Sequence, residues 1–86
     1  MTIEGEFVSI SERVVHSPAW GRLDPDPVPA GLRIEAGRVI GRVRQPKAVI
    51  PLVSPVTGRF LEWLALEGEP VRPGTALARL RADDAT

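Results

Sequence analysis

Ser54-Pro55-Val56-Thr57-Gly58-Arg59-Phe60 has a counterpart 37 positions earlier, Ser17-Pro18-Ala19-Trp20-Gly21-Arg22-Leu23, and this pair of stretches decides the fold. The same offset aligns residues 14–44 with 51–81 without a gap and adds the identities Gly31/Gly68, Gly37/Gly74, Arg42/Arg79 and Arg44/Arg81. Apolar pairs fall between them: Leu23/Phe60, Ile34/Val71, Ile40/Leu77 and Val43/Leu80. Two copies are too few for a solenoid, in which each repeat stacks on the next. Two halves that pair through a pseudo-twofold axis and share one core are expected instead.

Each copy has a legible plan. Ser-Pro-x-x-Gly ends one strand, turns and starts another, with proline fixing φ and glycine free to take a positive φ. Gly31 or Gly68 opens a second tight turn, Ile34 or Val71 dips into the core, and Gly37 or Gly74 closes the turn before a last strand. Alternation along that strand predicts Val39, Gly41 and Val43 on one face and Arg42 and Arg44 on the other. Its copy places Ala76, Ala78 and Leu80 inward, with Arg79 and Arg81 outward. Small inward residues predict a close approach of two sheets. The first copy has diverged, because Asp24-Pro25-Asp26-Pro27-Val28-Pro29 stands where the second has Leu61-Glu62-Trp63-Leu64-Ala65-Leu66. Prolines remove ladder donors, which predicts an edge or extended loop there. The second copy is then expected to supply most of the core in that region, with Leu61 and Trp63 on one face and Phe60, Leu64 and Leu66 on the other.

Composition agrees with an all-β chain. Eight glycines and nine prolines in 86 residues leave little room for a helix, since an interior proline costs about 3 kcal/mol. Short apolar stretches at 7–10, 13–16, 38–43, 48–53, 59–66 and 76–80, bounded by Gly and Pro, read as strands. At this length the chain holds one small domain. Eleven basic and eleven acidic residues cancel, so nothing in the charge favours a nucleic-acid partner. No cysteine is present, which excludes a disulfide scaffold, a thiolate metal site and a cysteine nucleophile. No apolar run approaches the roughly 20 residues of a membrane span, and the acidic N-terminus lacks a signal peptide's basic region. A soluble cytoplasmic domain with no membrane partner is the expectation.

The second copy, Val53-Ser-Pro-Val-Thr-Gly-Arg-Phe60 followed by Glu67-Gly-Glu-Pro-Val-Arg-Pro-Gly-Thr-Ala-Leu77, resembles the C-terminal half of biotinyl and lipoyl carrier domains. Their pattern is a small residue, Pro, two residues and Gly, then Glu-Gly-x-x-Val-x-x-Gly-x-x-Leu. The likeness covers residues 14–80 when the weaker first copy is counted. It implies a flattened barrel-sandwich hybrid of two four-stranded sheets related by a pseudo-twofold axis. In that family the hairpin joining the two halves carries a lysine that is acylated by biotin or lipoate, and the arm swings between active sites. Here residues 45–50 connect the copies, as Gln45-Pro46-Lys47-Ala48-Val49-Ile50, and Lys47 lies inside the connector. Lys47 is also eight residues before Pro55, the family's spacing, and is the only lysine beside ten arginines. An amine on a flexible stem forms an amide that a guanidinium cannot. The flanks, Pro46 and Ala48, differ from the methionines of biotin domains. Ala48 fits the Asp-Lys-Ala of lipoyl domains while Pro46 does not.

The resemblance therefore implies a non-catalytic carrier, with residues 14–81 as the domain, 1–13 as an N-terminal strand and lead-in, and 82–86 as a polar tail. A biotin or lipoate ligase would be one partner. Carboxylase or acyltransferase-type enzymes would be the others: a multi-subunit acyl-CoA carboxylase for biotin, a 2-oxo acid dehydrogenase-like system for lipoate. An unmodified scaffold or protein-interaction module of the same fold is the alternative. Trp20, in a turn expected to be exposed, is with Pro46 and Ala48 a partner-contact candidate, because exposed tryptophans often anchor interfaces.

The remaining features read as structural. Gly31, Gly37 and Gly41 lack the spacing and the following helix of a phosphate loop. His16, the only histidine, is expected as a half-buried strand residue rather than a metal ligand. Asp24 with Asp26, and Asp83 with Asp84, are expected to be solvated and without partners. Ser17 and Ser54 suit turn hydrogen bonds better than nucleophilic roles. Arg42, Arg44, Arg79 and Arg81 are expected on adjacent strands as a solvated strip.

Overall fold

The computed structural model describes residues 11–83. Eight strands follow in chain order: β1 (Glu12–His16), β2 (Gly21–Pro25), β3 (Arg33–Ile34), β4 (Val39–Gln45), β5 (Ala48–Val53), β6 (Gly58–Trp63), β7 (Pro70–Val71) and β8 (Ala76–Ala82). They form two four-stranded antiparallel sheets, ordered β1-β8-β6-β3 and β5-β4-β2-β7. This is the flattened barrel-sandwich. The strand expected at 7–10 and Asp84 lie outside the described residues, and β1 begins two residues before position 14.

A shift of 37 positions carries β1 to β5, β2 to β6, β3 to β7 and β4 to β8, and so carries one sheet onto the other. Each sheet takes two strands from each copy. Hydrogen bonds between the copies come in matching pairs. Leu23 N–H donates to Glu69 O at 3.0 Å as Phe60 N–H does to Leu32 O at 2.9 Å, and Gly31 to Phe60 O as Gly68 to Leu23 O, both at 2.7 Å. Neither half could satisfy these backbone groups alone.

The four repeated apolar pairs are all in the core, each residue at most 4% exposed: Leu23/Phe60, Ile34/Val71, Ile40/Leu77 and Val43/Leu80. Burying each side chain contributes about 1.5–3 kcal/mol, which makes this cluster the main source of stability. Among the described residues Ser17 and Ser54 are the buried polar ones, and each hydroxyl donates to the carbonyl two residues on, at 2.6 Å (Ala19 O and Val56 O). Removing Ser54 Oγ leaves the Val56 carbonyl without that donor, so Ser54→Ala is expected to cost about 1–2 kcal/mol in urea unfolding.

Strict alternation fails at three bulges. Val39 pairs with Val53 and Gly41 with Leu52, so Ile40 is the extra residue of β4. His16 pairs with Ala76 and Val15 with Ala78, so Leu77 is its counterpart in β8. The bulges bury Ile40 and Leu77 and leave Val39 and Ala76 exposed, which corrects the inward faces expected for both strands. On β6, Phe60 pairs with Leu80 and Glu62 with Arg79, which makes Leu61 the third extra residue. Trp63 consequently packs with Phe60, ring centroids 5.4 Å apart, rather than on the opposite face. Leu64 and Leu66 are exposed.

The proline-rich segment behaves as its missing donors dictate. Asp24 and Pro25 pair with β4 only, while β7 reaches just Gly21 and Arg22, so Pro25 sits where β2 has one open side. Residues 26–29 then leave the sheet. Trp63 fills in beside them, its indole N–H donating to Asp26 O at 3.1 Å.

Candidate functional site

β4 and β5 form a hairpin closed by the Gln45↔Ala48 pair, and its loop is two residues, Pro46 and Lys47. The six-residue connector expected from the sequence is mostly strand: Gln45 ends β4 and residues 48–50 begin β5. No non-glycine residue among those described has positive φ, and none follows a cis bond. The turn is therefore unprimed, with Pro46 at the first central position, where its locked φ of about −65° is what the turn requires. Lys47 is exposed at the second central position. Among the described residues no carboxylate forms an ion pair with it. An exposed, unclaimed amine on a pre-ordered turn fits an acyl group attached through an amide.

The residues around the turn differ in character on its two sides. Ala48 is exposed and opens β5, an edge strand whose outward side chains Val49, Pro51 and Val53 are exposed and uncharged. In a two-residue hairpin the closing pair exchanges hydrogen bonds, so the backbone of residues 49, 51 and 53 faces the open edge. Pro51 thus removes the middle donor and discourages pairing with another strand. On the other side, Gln45 Nε2 donates to Trp20 O at 2.8 Å and ties the hairpin base to the loop before β2. Trp20 is 57% exposed. Together with Pro46 it borders a groove of about 800 Å³ whose floor and walls include Arg22, Asp24, Arg44, Glu67 and Pro70.

Of the charged residues around the groove, Asp24 and Arg44 are paired with each other, while Arg22 donates to the Gly68 carbonyl. Arg44 Nε donates to Asp24 Oδ2 at 2.8 Å, and Arg42 bridges Asp24 and Asp26 at 3.2 and 2.9 Å. The expectation of solvated, unpartnered acids fails here because β2 and β4 pair, with Asp24 opposite Arg42. Asp83 pairs likewise with Arg33 at 2.7 Å. Nor do the arginines form one strip. β4 and β8 lie in different sheets, and Arg79 and Arg81 are matched by Glu12 and Glu62.

The hydrogen bond from Arg44, then that from Arg42 and the charges of both, outweigh desolvation and hold the Asp24 carboxyl below its ordinary value of 3.8. A depressed folded-state value stabilises above the unfolded one and is lost as pH falls through the folded one. Thermal unfolding of the parent protein and Asp24→Asn should therefore differ at about pH 6 and converge as pH falls below the depressed folded-state value of Asp24.

His16 is exposed rather than half-buried, and among the described residues no group of His, Asp and Glu could hold a metal ion.

Two solved carboxylases contain this fold. A single-chain, multi-domain long-chain acyl-CoA carboxylase matches with a TM-score of 0.76 and 22% identity, over 86% of this chain and 8% of that one. The Kluyveromyces lactis urea carboxylase matches with a TM-score of 0.72 and 20% identity, over 80% of this chain and 6% of that one. The chain thus spans a small fraction of either. No protein-family model and no curated protein sequence matches it.

Sequence reasoning singled out Lys47, Pro46, Ala48 and Trp20, and the fold brings all four to one end of the β5-β4-β2-β7 sheet. It missed Gln45, the tie between the turn and the Trp20 loop, and it missed the groove. The proline–lysine pair did carry a signal, since proline is favoured at the first central position of the unprimed type I and II turns.

Proposed function

We propose that this chain is a biotinyl carrier-type domain with Lys47 as the attachment residue, serving a carboxylase-like enzyme as a non-catalytic part. The observation that carries this is the placement of the only lysine, exposed and without an ion-pair partner among the described residues, on the two-residue turn joining the two halves of a barrel-sandwich. Support comes also from the solved neighbours, both carboxylases, the enzyme class that the sequence resemblance implies for biotin rather than lipoate. The attachment chemistry needs only the amine. Neutral Nζ attacks the acyl carbon of a mixed anhydride supplied by a ligase, the amide C–N bond forms, the acyl–oxygen bond breaks, and one proton leaves nitrogen.

Pro46 favours a second reading, an unmodified scaffold of the same fold, because it replaces a flank that biotin ligases meet as methionine in the resembling family. Intact mass of the protein from its native host, with peptide mapping around Lys47, separates the two. A biotinyl mass on Lys47 is expected. An unmodified chain in a host whose ligase biotinylates other proteins would overturn the carrier reading in favour of the scaffold.

A further inference from the structure

The groove beside the turn has features that the carrier role alone does not require. Its first wall is Trp20, whose repeat equivalent is Thr57, so the internal symmetry does not call for an aromatic ring there. The ring's backbone is held from two directions. Gln45 Nε2 grips the Trp20 carbonyl, and Ser17 Oγ bonds the Ala19 carbonyl at 2.6 Å. A half-exposed indole on a fixed backbone is a preformed stacking surface. Its second wall is Pro46, the residue adjacent in sequence to Lys47. Its polar lining includes Asp24, Gln45 and Glu67 beside Arg22 and Arg44, and the two arginines are its charged donors. Asp24 takes only the Nε of Arg44, and Arg22 gives Nη1 to Gly68 O at 2.9 Å, so each guanidinium retains further N–H donors among the described contacts. The equivalent positions on the other sheet combine Thr57, Arg59, Leu61 and Arg81, which provide arginines but no ring.

A flat aromatic wall with guanidinium donors suits a compact ring that carries a carbonyl oxygen. It offers less to a dithiolane, which has no strong acceptor. We infer that this groove is a resting site for the head group of the arm on Lys47 and that it selects the ureido ring of biotin over the ring of lipoate. Trp20 stacks on the bicyclic ring and Arg44 donates to its carbonyl. The inference rests on Lys47 as the attachment residue. It adds that this chain itself holds the head group between partners and shields it from solvent.

The test uses the intact chain, charged in vitro at Lys47 with biotin or with lipoate. Indole N–H signals of Trp20 and Trp63 are followed by two-dimensional NMR and assigned with Trp20→Phe. Biotinylation should shift the Trp20 signal and leave that of Trp63 in place, and lipoylation should shift neither. Biotinylated Trp20→Ala should be captured by avidin roughly threefold faster or more than the biotinylated parent, because the docked fraction no longer withholds the ring. Unchanged Trp20 signals and equal capture rates on a chain shown by mass to carry biotin would overturn the resting site and leave the carrier reading intact. A loss of partner activity in Trp20→Ala with equal capture rates would make the groove a protein-docking surface and overturn it as well. A shift with lipoate alone would overturn the selection of biotin. Refusal of Lys47 by both ligases would sink the carrier reading, and the resting site with it.

Discussion

Alanine at Gly58 is expected to lower the unfolding temperature by roughly 10–20 °C. The cause is a collision between backbones. A Cβ at Gly58 would run into the carbonyl oxygen of Arg81, with Arg81 C at 2.8 Å and Ala82 Cα at 2.9 Å. Those atoms belong to β8, the strand against which β6 pairs through Gly58↔Ala82, and no side-chain rotation moves them away. Overpacking with flexible neighbours costs about 1–3 kcal/mol, and an immovable backbone puts this substitution at the upper end or beyond. In a domain of this size each kcal/mol lowers the midpoint by about 4–8 °C. Gly68→Ala is the internal control. Its φ is +80° and nothing lies within 4 Å of the added carbon, so its cost of about 1–2 kcal/mol is conformational alone. Both are measured by thermal and urea unfolding. If Gly58→Ala proves no more damaging than Gly68→Ala, the close approach of β6 to β8 is not what fixes glycine at that position.

The same contrast refines the meaning of the Ser-Pro-x-x-Gly motif. Its glycine reads in the sequence as a residue chosen for positive φ, yet Gly58 is not in that region. Gly21, its counterpart, does have a positive φ of 154°, and it would also place a Cβ 2.5 Å from the Arg44 carbonyl oxygen and 2.6 Å from a Val43 methyl. What the two positions share is a neighbouring strand with no room for a side chain. That requirement is invisible in one dimension, because it depends on which strand becomes the neighbour.

Other features divide along the same line. The core pairs Leu23/Phe60 and Ile34/Val71 were legible because a repeat places equal chemistry at equal positions, and the sheets obey that rule. Pro25 was legible because a missing N–H has a local consequence. The bulges at Ile40, Leu61 and Leu77 were not, since one extra residue reverses every later assignment of face and leaves no compositional mark. The ion pairs of Asp24 were hidden for a related reason: Arg42 and Arg44 reach it only through the β2–β4 register. At the candidate site the lysine and its exposed turn could be inferred from spacing. The groove could not, because it joins Trp20, Arg44 and Glu67 from three separate segments.

Lys47→Arg is expected to abolish acylation completely while leaving stability within about 0.5 kcal/mol of the parent, as for other exposed substitutions. Both halves of this expectation follow from the turn. Pro46 supplies the conformational restriction and the Gln45↔Ala48 pair closes the hairpin, so the side chain at position 47 adds nothing that holds the strands together. Arginine keeps the positive charge and much of the length, so a partner that merely needs a cation there would still bind. It lacks an amine that can lose its proton and attack an acyl carbon, since guanidinium stays protonated far above physiological pH. The substitution therefore separates charge from nucleophilicity at one atom. Co-expression with a biotin ligase, followed by intact mass and thermal unfolding, reads both consequences in one preparation. Label that persists on the arginine variant must sit on the terminal amine or another group, and Lys47 would then be excluded as the attachment residue. Label lost together with cooperative unfolding would mean that position 47 holds the hairpin closed, contrary to the assignment of that role to Pro46 and the Gln45↔Ala48 pair.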